Sequence, residues 1–405
     1  MNIVDFSNCP YSDKHGTYGG LSGRKDGIIY NNENWLIKYP KNTIGMKDVP
    51  ISYTTSPLNE YIGSHIYDIL GYDVHETLLG IRNNKLVVAC KDFEVEGSRL
   101  IEMRTIKNAA NPELASILDR NFASTGTEHF SNIDELILHI NNNEILTSIP
   151  NVEEHFWDMA TVDLLIRNND RNNGNWGILK THDVSSLAPV FDNGGCFTDK
   201  SDDDKLQRLL NNPIESAINF RTSFGKETIK GEPTSVKQMN AKDFIDYAMN
   251  FDKFKNSLIK NIPLIEKRLN EIKSFIYDIP KEVLYNRNVI NVCSDIQKEY
   301  FFQSLNLRLE HLLIPAYENV MQKENHILSR KMEAARKEFF SKPKEERTTV
   351  EWEGKQYRIT AFEDLYLAQC KKENRIPDKD IVTHFNNNVA VGNYTPQYVI
   401  NNNRG

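Results

Sequence analysis

The sequence predicts an α+β fold in which the strands come first and the helices follow. Three observations carry this. In residues 1–95, short alternating apolar runs are separated by Asn-Asn pairs at Asn31-Asn32 and Asn83-Asn84, a pattern of hairpin strands. Residues 156–166 form an apolar, helix-like run that enters a turn-rich stretch, RNNDRNNGNWG, at 167–177. From 199 to about 341 the periodicity is helical with charged faces. The expected organisation is a β-rich lobe at 1–95, a mostly helical lobe at 96–341, and a linker with a small appended module at 342–405.

The totals narrow the class. A chain of 405 residues is too long for one small core. With 39% apolar and 26% charged residues it fits a soluble globular protein. The net charge of −7 argues against a general nucleic-acid footprint, which needs clustered cations. The five cysteines are scattered and contain no C-x-x-C pair, so reduced, buried thiols are expected, not a disulfide framework or a zinc site. No apolar run is long enough for a membrane span, and MNIVDFSNCP is not a signal peptide. A cytoplasmic protein is the default expectation, with export as an effector, needing no such signal, still open.

In chain order, residues 16–25 form a glycine-rich loop, with Gly19, Gly20, Ser22, Gly23 and Lys25 placed either to let backbone N–H groups approach an anion or simply to turn the chain. Strands at 26–30 and 35–39 follow. In the second, Trp35, Ile37 and Tyr39 share one face and Leu36 and Lys38 the other, because strand side chains alternate. Lys38 is then either an exposed-face residue or a paired functional one. Ser56 is expected to cap a helix, with Pro57 in its first turn and Gly71 at its end. Glu60 on that helix serves the helix N-terminus or pairs with Lys38. Strands at 75–81 and 85–90 close the first lobe at Cys90, Lys91, Asp92 and Phe93.

Residues 96–150 are mixed, with a polar segment around 121–128 expected to be a mobile surface. Asn151 and Glu154 are expected to form a capping box on a central buried helix. Short strands at 176–179 and 188–191 would hold Asn175 near Asp192. Helices are expected at 205–210, 241–249, 262–277, 297–313 and 318–340. A linker at 342–347, a hairpin around Glu353-Gly354 and a helix at 361–372 complete the chain, with 386–405 lacking periodicity.

The chemistry lies in the two central loops. Asp170 is followed five residues later by Asn175, and Asp192 stands downstream in PVFDNGG. Metal-assisted phosphoryl transfer needs one carboxylate to orient a hydroxyl nucleophile, and an asparagine and second carboxylate to hold Mg²⁺. D-x-x-x-x-N alone is a weak signal, and gains force from Lys38 upstream.

Together, Gly19-Gly20, Lys38, Glu60, Asp170, Asn175 and Asp192 resemble the HipA-like serine/threonine kinase family, in its compact CtkA-type branch. Four stretches carry the resemblance: YNNENWLIKYP, VHETLLGIRNNKLVVACKDF, FWDMATVDLLIRNNDRNNGNWGIL and PVFDNGG. It implies a two-lobed protein-kinase-like fold that binds ATP and Mg²⁺ and phosphorylates a protein substrate on serine or threonine. Lys38 would contact the ATP phosphates and Glu60 would hold Lys38. Asp170 would be the catalytic base, and Asn175 and Asp192 the metal ligands. Residues 90–93 would be the hinge that meets adenine.

Departures from ordinary protein kinases carry expectations of their own. Asn169, not arginine, precedes Asp170, so activation by a phosphorylated loop docking on that arginine is not expected. Ser22 is the candidate for an autophosphorylation that expels the loop, as in HipA-like kinases. The extra N-terminal subdomain of the larger HipA proteins is missing, so their DNA-bound partner is not implied. Neither a nucleic-acid nor a membrane partner is expected. A kinase of a lipid or small-molecule hydroxyl is the alternative, and a non-catalytic nucleotide-binding protein a further one.

Overall fold

Two asparagine pairs build the first sheet. Asn31 and Asn32 are both left-handed (φ 51° and 64°), as are Asn83 and Asn84 (52° and 54°). This backbone closes two-residue hairpins because its twist matches that of the strands it joins. β1 (Val4–Asp5) lies parallel to β4 (Thr77–Arg82). β2 (Lys25–Tyr30) pairs with β3 (Glu33–Lys38), and β4 with β5 (Lys85–Lys91). The sheet order is β1-β4-β5-β3-β2. Trp35, Ile37 and Tyr39 pack with Phe6, Ile28, Val87 and Ala89 in one core, which turns Leu36 and Lys38 to the opposite face. The computed structural model describes residues 2–17, 24–95, 97–109, 131–182, 184–228 and 235–372. The polar segment at 121–128 and the residues after 372 lie outside them.

α1 (Ser56–Ile69) begins one residue earlier than its expected cap. Thr55 occupies the N-cap without a side-chain cap bond, and the Ser56 hydroxyl instead meets Thr54 Oγ1 at 2.8 Å. Gly71 ends the helix as expected, at φ 80°. β6 (Ser98–Glu102) and α2 (Met103–Asn108) follow, then β7 (Ser131–Asn132), α3 (Ile133–Asn142) and α4 (Glu144–Thr147).

α5 (Val152–Ile166) is the buried helix the sequence predicts, with Phe156, Trp157, Ala160, Val162, Leu165 and Ile166 all fully enclosed. Its capping box does not form. Asn151 is left-handed (φ 62°) and makes no cap bond, so tertiary burial, not capping, sets the helix start. β8 (Gly177–Thr181) pairs with β6 on one side and β9 (Val184–Leu187) on the other. The strand expected at 188–191 reduces to a single bridge between Val190 and Val74.

The helical half is more mixed than its periodicity suggests. α6 (Asp203–Asn211) and α7 (Pro213–Ile218) precede a hairpin of β10 (Arg221–Thr228) and β11 (Ser235–Asn240), with β7 parallel to β10. After α8 (Ala241–Ala248), α9 (Asp252–Tyr277) runs through Pro263 and so starts ten residues before the expected 262. A second unexpected hairpin, β12 (Glu282–Tyr285) with β13 (Asn288–Asn291), turns at left-handed Asn286 and Arg287. α10 (Asp295–Arg308) starts on a full capping box from Ser294 and Gln297 and continues through a π-helical turn at Leu309–Leu313.

The chain divides into two compact units, Met1–Ala316 and Tyr317–Gly405. In the second, α11 (Ile314–Ser341) contributes Met332 and Phe339 to a core with Val350, Tyr357, Phe362, Tyr366 and Leu367. These come from a hairpin, β14 (Val350–Trp352) with β15 (Lys355–Tyr357), and from α12 (Ile359–Lys372). The hairpin turns at Glu353 and Gly354, as expected. Four cysteines are buried, Cys9 is half-buried, and none of the five is in a disulfide. Among the described residues, no helix is long and apolar enough to cross a membrane.

Candidate active site

A cleft of about 730 Å³ opens on the face of the first sheet that carries Lys38. Its walls include Lys25, Leu36, Lys38, Phe93, Asn175 and Asp192. The strand register sets Lys25 directly opposite Lys38, so two lysines stand side by side at its edge. Opposed like charges destabilise a bare strand pair, and an anion in the cleft would relieve that cost. Burial, then the neighbouring Lys38 charge, holds the Lys25 ammonium below its usual range.

Lys38 Nζ lies 2.9 Å from Glu60 Oε2 and 2.8 Å from Asp192 Oδ1. Glu60 is almost wholly enclosed, at 1%, whereas Lys38 keeps 18% and Asp192 33% of the side chain open. Lys38 and Asp192 are therefore reachable from the cleft and Glu60 acts from behind. Burial alone would raise the Glu60 carboxyl. Lys38, followed by His75, instead holds it well below the usual range. Burial would likewise lower the Lys38 ammonium, but Asp192 and then Glu60 raise it well above its ordinary value. Glu60 Oε1 accepts the Asn193 N–H at 2.9 Å and lies 3.1 Å from His75 Nε2. Glu60, His75 and Cys90 cluster within 4.8 Å, but both Glu60 oxygens are already committed.

The two loops are joined by Arg171, which is completely buried. Its Nε donates to Asp163 Oδ2 at 2.9 Å and its Nη2 to Asp163 Oδ1 at 3.2 Å. Nη1 donates to the carbonyls of Asn175 (2.7 Å) and Phe191, and Nη2 to the Asn193 side chain. One guanidinium thus ties the backbone at Phe191 and Asn175 to the Asn193 side chain, bracketing Asp192. Asp192 itself is left-handed (φ 58°), a costly conformation that its surroundings impose.

Asp170 sits in the same loop. Asn172 Nδ2 donates to its Oδ1 at 3.0 Å, and Asn168 Oδ1 accepts its backbone N–H at 3.2 Å. The residue is exposed but ringed by protein, and this partial desolvation, then Asp192, raises its carboxyl above the usual value. Gly195 passes so close that a Cβ there would stand 2.8 Å from Asp170 Cβ and 3.0 Å from Asn168 Oδ1. Only glycine fits.

At residues 90–93 the backbone is partly committed. Lys91 N donates to Glu76 O at 2.8 Å and Asp92 N to Asn34 O at 2.9 Å, while no partner meets the Phe93 N–H among the described residues. The Lys91 side chain pairs with Glu33 and Glu76. Phe93 and Phe191 meet with ring centroids 5.7 Å apart. Lys14 crosses to this segment, 2.6 Å from Asp92 and 3.1 Å from Glu94. The structure therefore gathers Lys25, Lys38, Glu60, Cys90, Phe93, Asn175 and Asp192, with Asp170 beside them. Gly19, Gly20, Ser22 and Gly23 lie outside the described residues. Sequence reasoning gave no role to Arg171, although it stands in the central stretch with Asp170 and Asn175, nor to Asp163, His75 or Lys14. The one available signal was an aspartate, Asp163, inside an apolar helix.

No protein-family model matches the sequence. The serine/threonine-protein kinase CtkA of Helicobacter pylori (strain J99) is 31% identical over 326 residues, 80% of this chain and 90% of CtkA. The chain belongs to the CtkA-type serine/threonine-protein kinase family. The crystal structure of the Helicobacter pylori proinflammatory kinase CtkA matches this kinase with a TM-score of 0.65 and 29% identity, over 79% of this chain and 98% of that one. The α+β, kinase-like fold expected from the motifs is thus the fold found. A HipA–HipB–operator DNA complex of Shewanella oneidensis is similar only at 10% identity and a TM-score of 0.42, over 75% of this chain and 69% of that chain, too distant to argue from.

Proposed function

We propose that this kinase transfers the γ-phosphate of ATP, with Mg²⁺, to a serine or threonine hydroxyl of a protein, and that it also phosphorylates itself. The observation that carries the reading is the Lys38 ammonium held between buried Glu60 and cleft-facing Asp192. An isolated ion pair would need one carboxylate. A lysine that must meet phosphates needs one partner to orient it and a second, on the opposite wall, beside the same phosphates.

In this reading Lys38 and Lys25 receive the phosphates, and Glu60 keeps Lys38 charged and aimed. The Phe93 N–H, without a partner among the described residues, offers a donor to the adenine edge, between Leu36 and the Phe93–Phe191 pair. Asp170 accepts the hydroxyl proton as the nucleophile attacks. The Asp192 carboxylate and the Asn175 side-chain carbonyl form a hard oxygen donor set, which suits Mg²⁺. Once bound there, the cation would neutralise charge on the phosphates. Arg171 keeps those two ligands in fixed relation.

Incubation of the purified protein with radiolabelled ATP tests this. Wild type is expected to label itself and a generic protein substrate, whereas Asp170→Asn and Lys38→Ala do neither. A wild-type protein that transfers no label, and whose melting temperature ATP with Mg²⁺ does not raise, would sink the reading.

A further inference from the structure

A second polar site lies at the C-terminal end of α5, where the chain enters the loop of Asp170. Arg308 on α10 is completely buried, yet its Nη1 and Nη2 have no hydrogen-bond partner. Only its Nε is used, donating to Leu165 O at 2.6 Å. Arg167, at the C-terminal end of α5, also has a buried Nε without a partner, while its Nη1 reaches the Tyr300 hydroxyl at 3.3 Å. Burial, with the nearby Arg167 charge adding to it, lowers the Arg308 guanidinium to about 9. The two cations therefore feel each other. The end of α5 offers them roughly half a negative charge, which is too little for two guanidiniums.

A cavity of about 360 Å³ opens beside Arg167. Lys205 and the hydroxyl-bearing Thr198, Ser201 and Ser216 line it, with Glu215 as its acidic wall residue. Glu215 is itself bonded to Asn212. Thr198 Oγ1 and Ser201 Oγ lie 3.0 Å apart and are turned toward each other. Arg167 and Lys205 are the cations that line it against Glu215, and Arg308 stands behind Arg167 without reaching the cavity wall. A phosphate monoester carries about −1.5 to −2 at neutral pH. Arg167 stands three residues before Asp170, so the two Cα atoms are within about 11 Å of each other.

We propose that this cavity binds a phosphoryl group carried on a serine or threonine of the protein substrate, gripped by Arg167 and Lys205, with Thr198 and Ser201 as hydroxyl donors. A guanidinium fork with an ammonium suits a tetrahedral dianion better than a single carboxylate. A substrate chain with its acceptor hydroxyl at Asp170 passes Arg167 within a few residues. This kinase would then act after another phosphorylation, on substrates already bearing a phosphate near the acceptor.

The test is binding to the full-length protein without ATP, in low-salt buffer, read by calorimetry and by melting temperature. The probes are inorganic phosphate, a phosphoserine peptide and the same peptide unphosphorylated. Phosphate and phosphopeptide are expected to bind, and the plain peptide is not. Lys205→Ala is expected to weaken binding by about 10–100-fold, the worth of a charge-assisted hydrogen bond, and Lys205→Arg to restore it. Lys38→Ala is expected to leave it intact, which separates this cavity from the nucleotide cleft. Binding that survives Lys205→Ala, or disappears in Lys38→Ala, overturns the proposal. So does a protein that ignores the phosphopeptide while mass spectrometry finds phosphate on its own Thr198 or Ser201. Because no turnover is required, the result stands whether or not the protein proves active toward ATP.

Discussion

Asp170 and Glu60 separate two effects that mutation can tell apart. Asp170→Asn removes the proposed proton acceptor but little volume, so phosphotransfer should fall by about 10²–10⁴-fold while ATP still raises the melting temperature. Its carboxyl is raised above 3.8 by partial desolvation and then by Asp192, so the acid limb of the activity profile should lie above that value. Glu60 has the opposite sign. Its folded carboxyl lies well below the usual 4.5, held there against burial by Lys38 and His75. The stability it contributes is therefore present above about pH 4.5 and lost as pH falls through the lower, folded value. Melting temperature measured from pH 6 down to 3 should drop more steeply for wild type than for Glu60→Gln.

At the scale of elements, Arg171 and Asp163 form a buried pair that links α5 to both site loops. Removing one partner strands a buried charge, so Arg171→Met or Asp163→Asn should cost about 3–5 kcal/mol in urea unfolding. Such pairs also mark the limit of what the sequence showed. The first sheet was legible because Asn31-Asn32 and Asn83-Asn84 dictate their own turns. Asp170, Asn175 and Asp192 stood out because reactive side chains in turn-rich segments seldom have packing reasons to be there, and Lys38 and Glu60 because a lysine in an apolar strand needs a partner. Arg171 was in plain view, but its role arises from carbonyls 4 and 20 residues away in sequence. The β10–β11 and β12–β13 hairpins were missed because their strands, such as RTSFGKET, lack clean apolar alternation and draw on neighbours for pairing. The expected caps at Ser56 and Asn151 gave way to burial of the helices that follow them.

For the whole molecule, the second unit sets where the chain can be cut. Met332 and Phe339 are covered by the hairpin and α12, so truncation after residue 342 would bare their apolar face. A protein ending at 316 should remain monodisperse by light scattering, whereas one ending at 342 should self-associate. The solved CtkA covers 79% of this chain, leaving about a fifth of it without a counterpart there. Kinase activity should therefore survive loss of the second unit, measured with the same radiolabelled transfer.

The guanidinium that ties Asn175, Phe191, Asn193 and Asp163 together also has a pharmacological consequence. A compound that needs the Asp192-Asn193-Gly194 segment to turn outward, opening space behind it, meets this tie first. In this protein that turn would have to strip Arg171 of several buried partners at once. Compounds of that kind should fail to displace nucleotide, while flat adenine-like competitors should succeed.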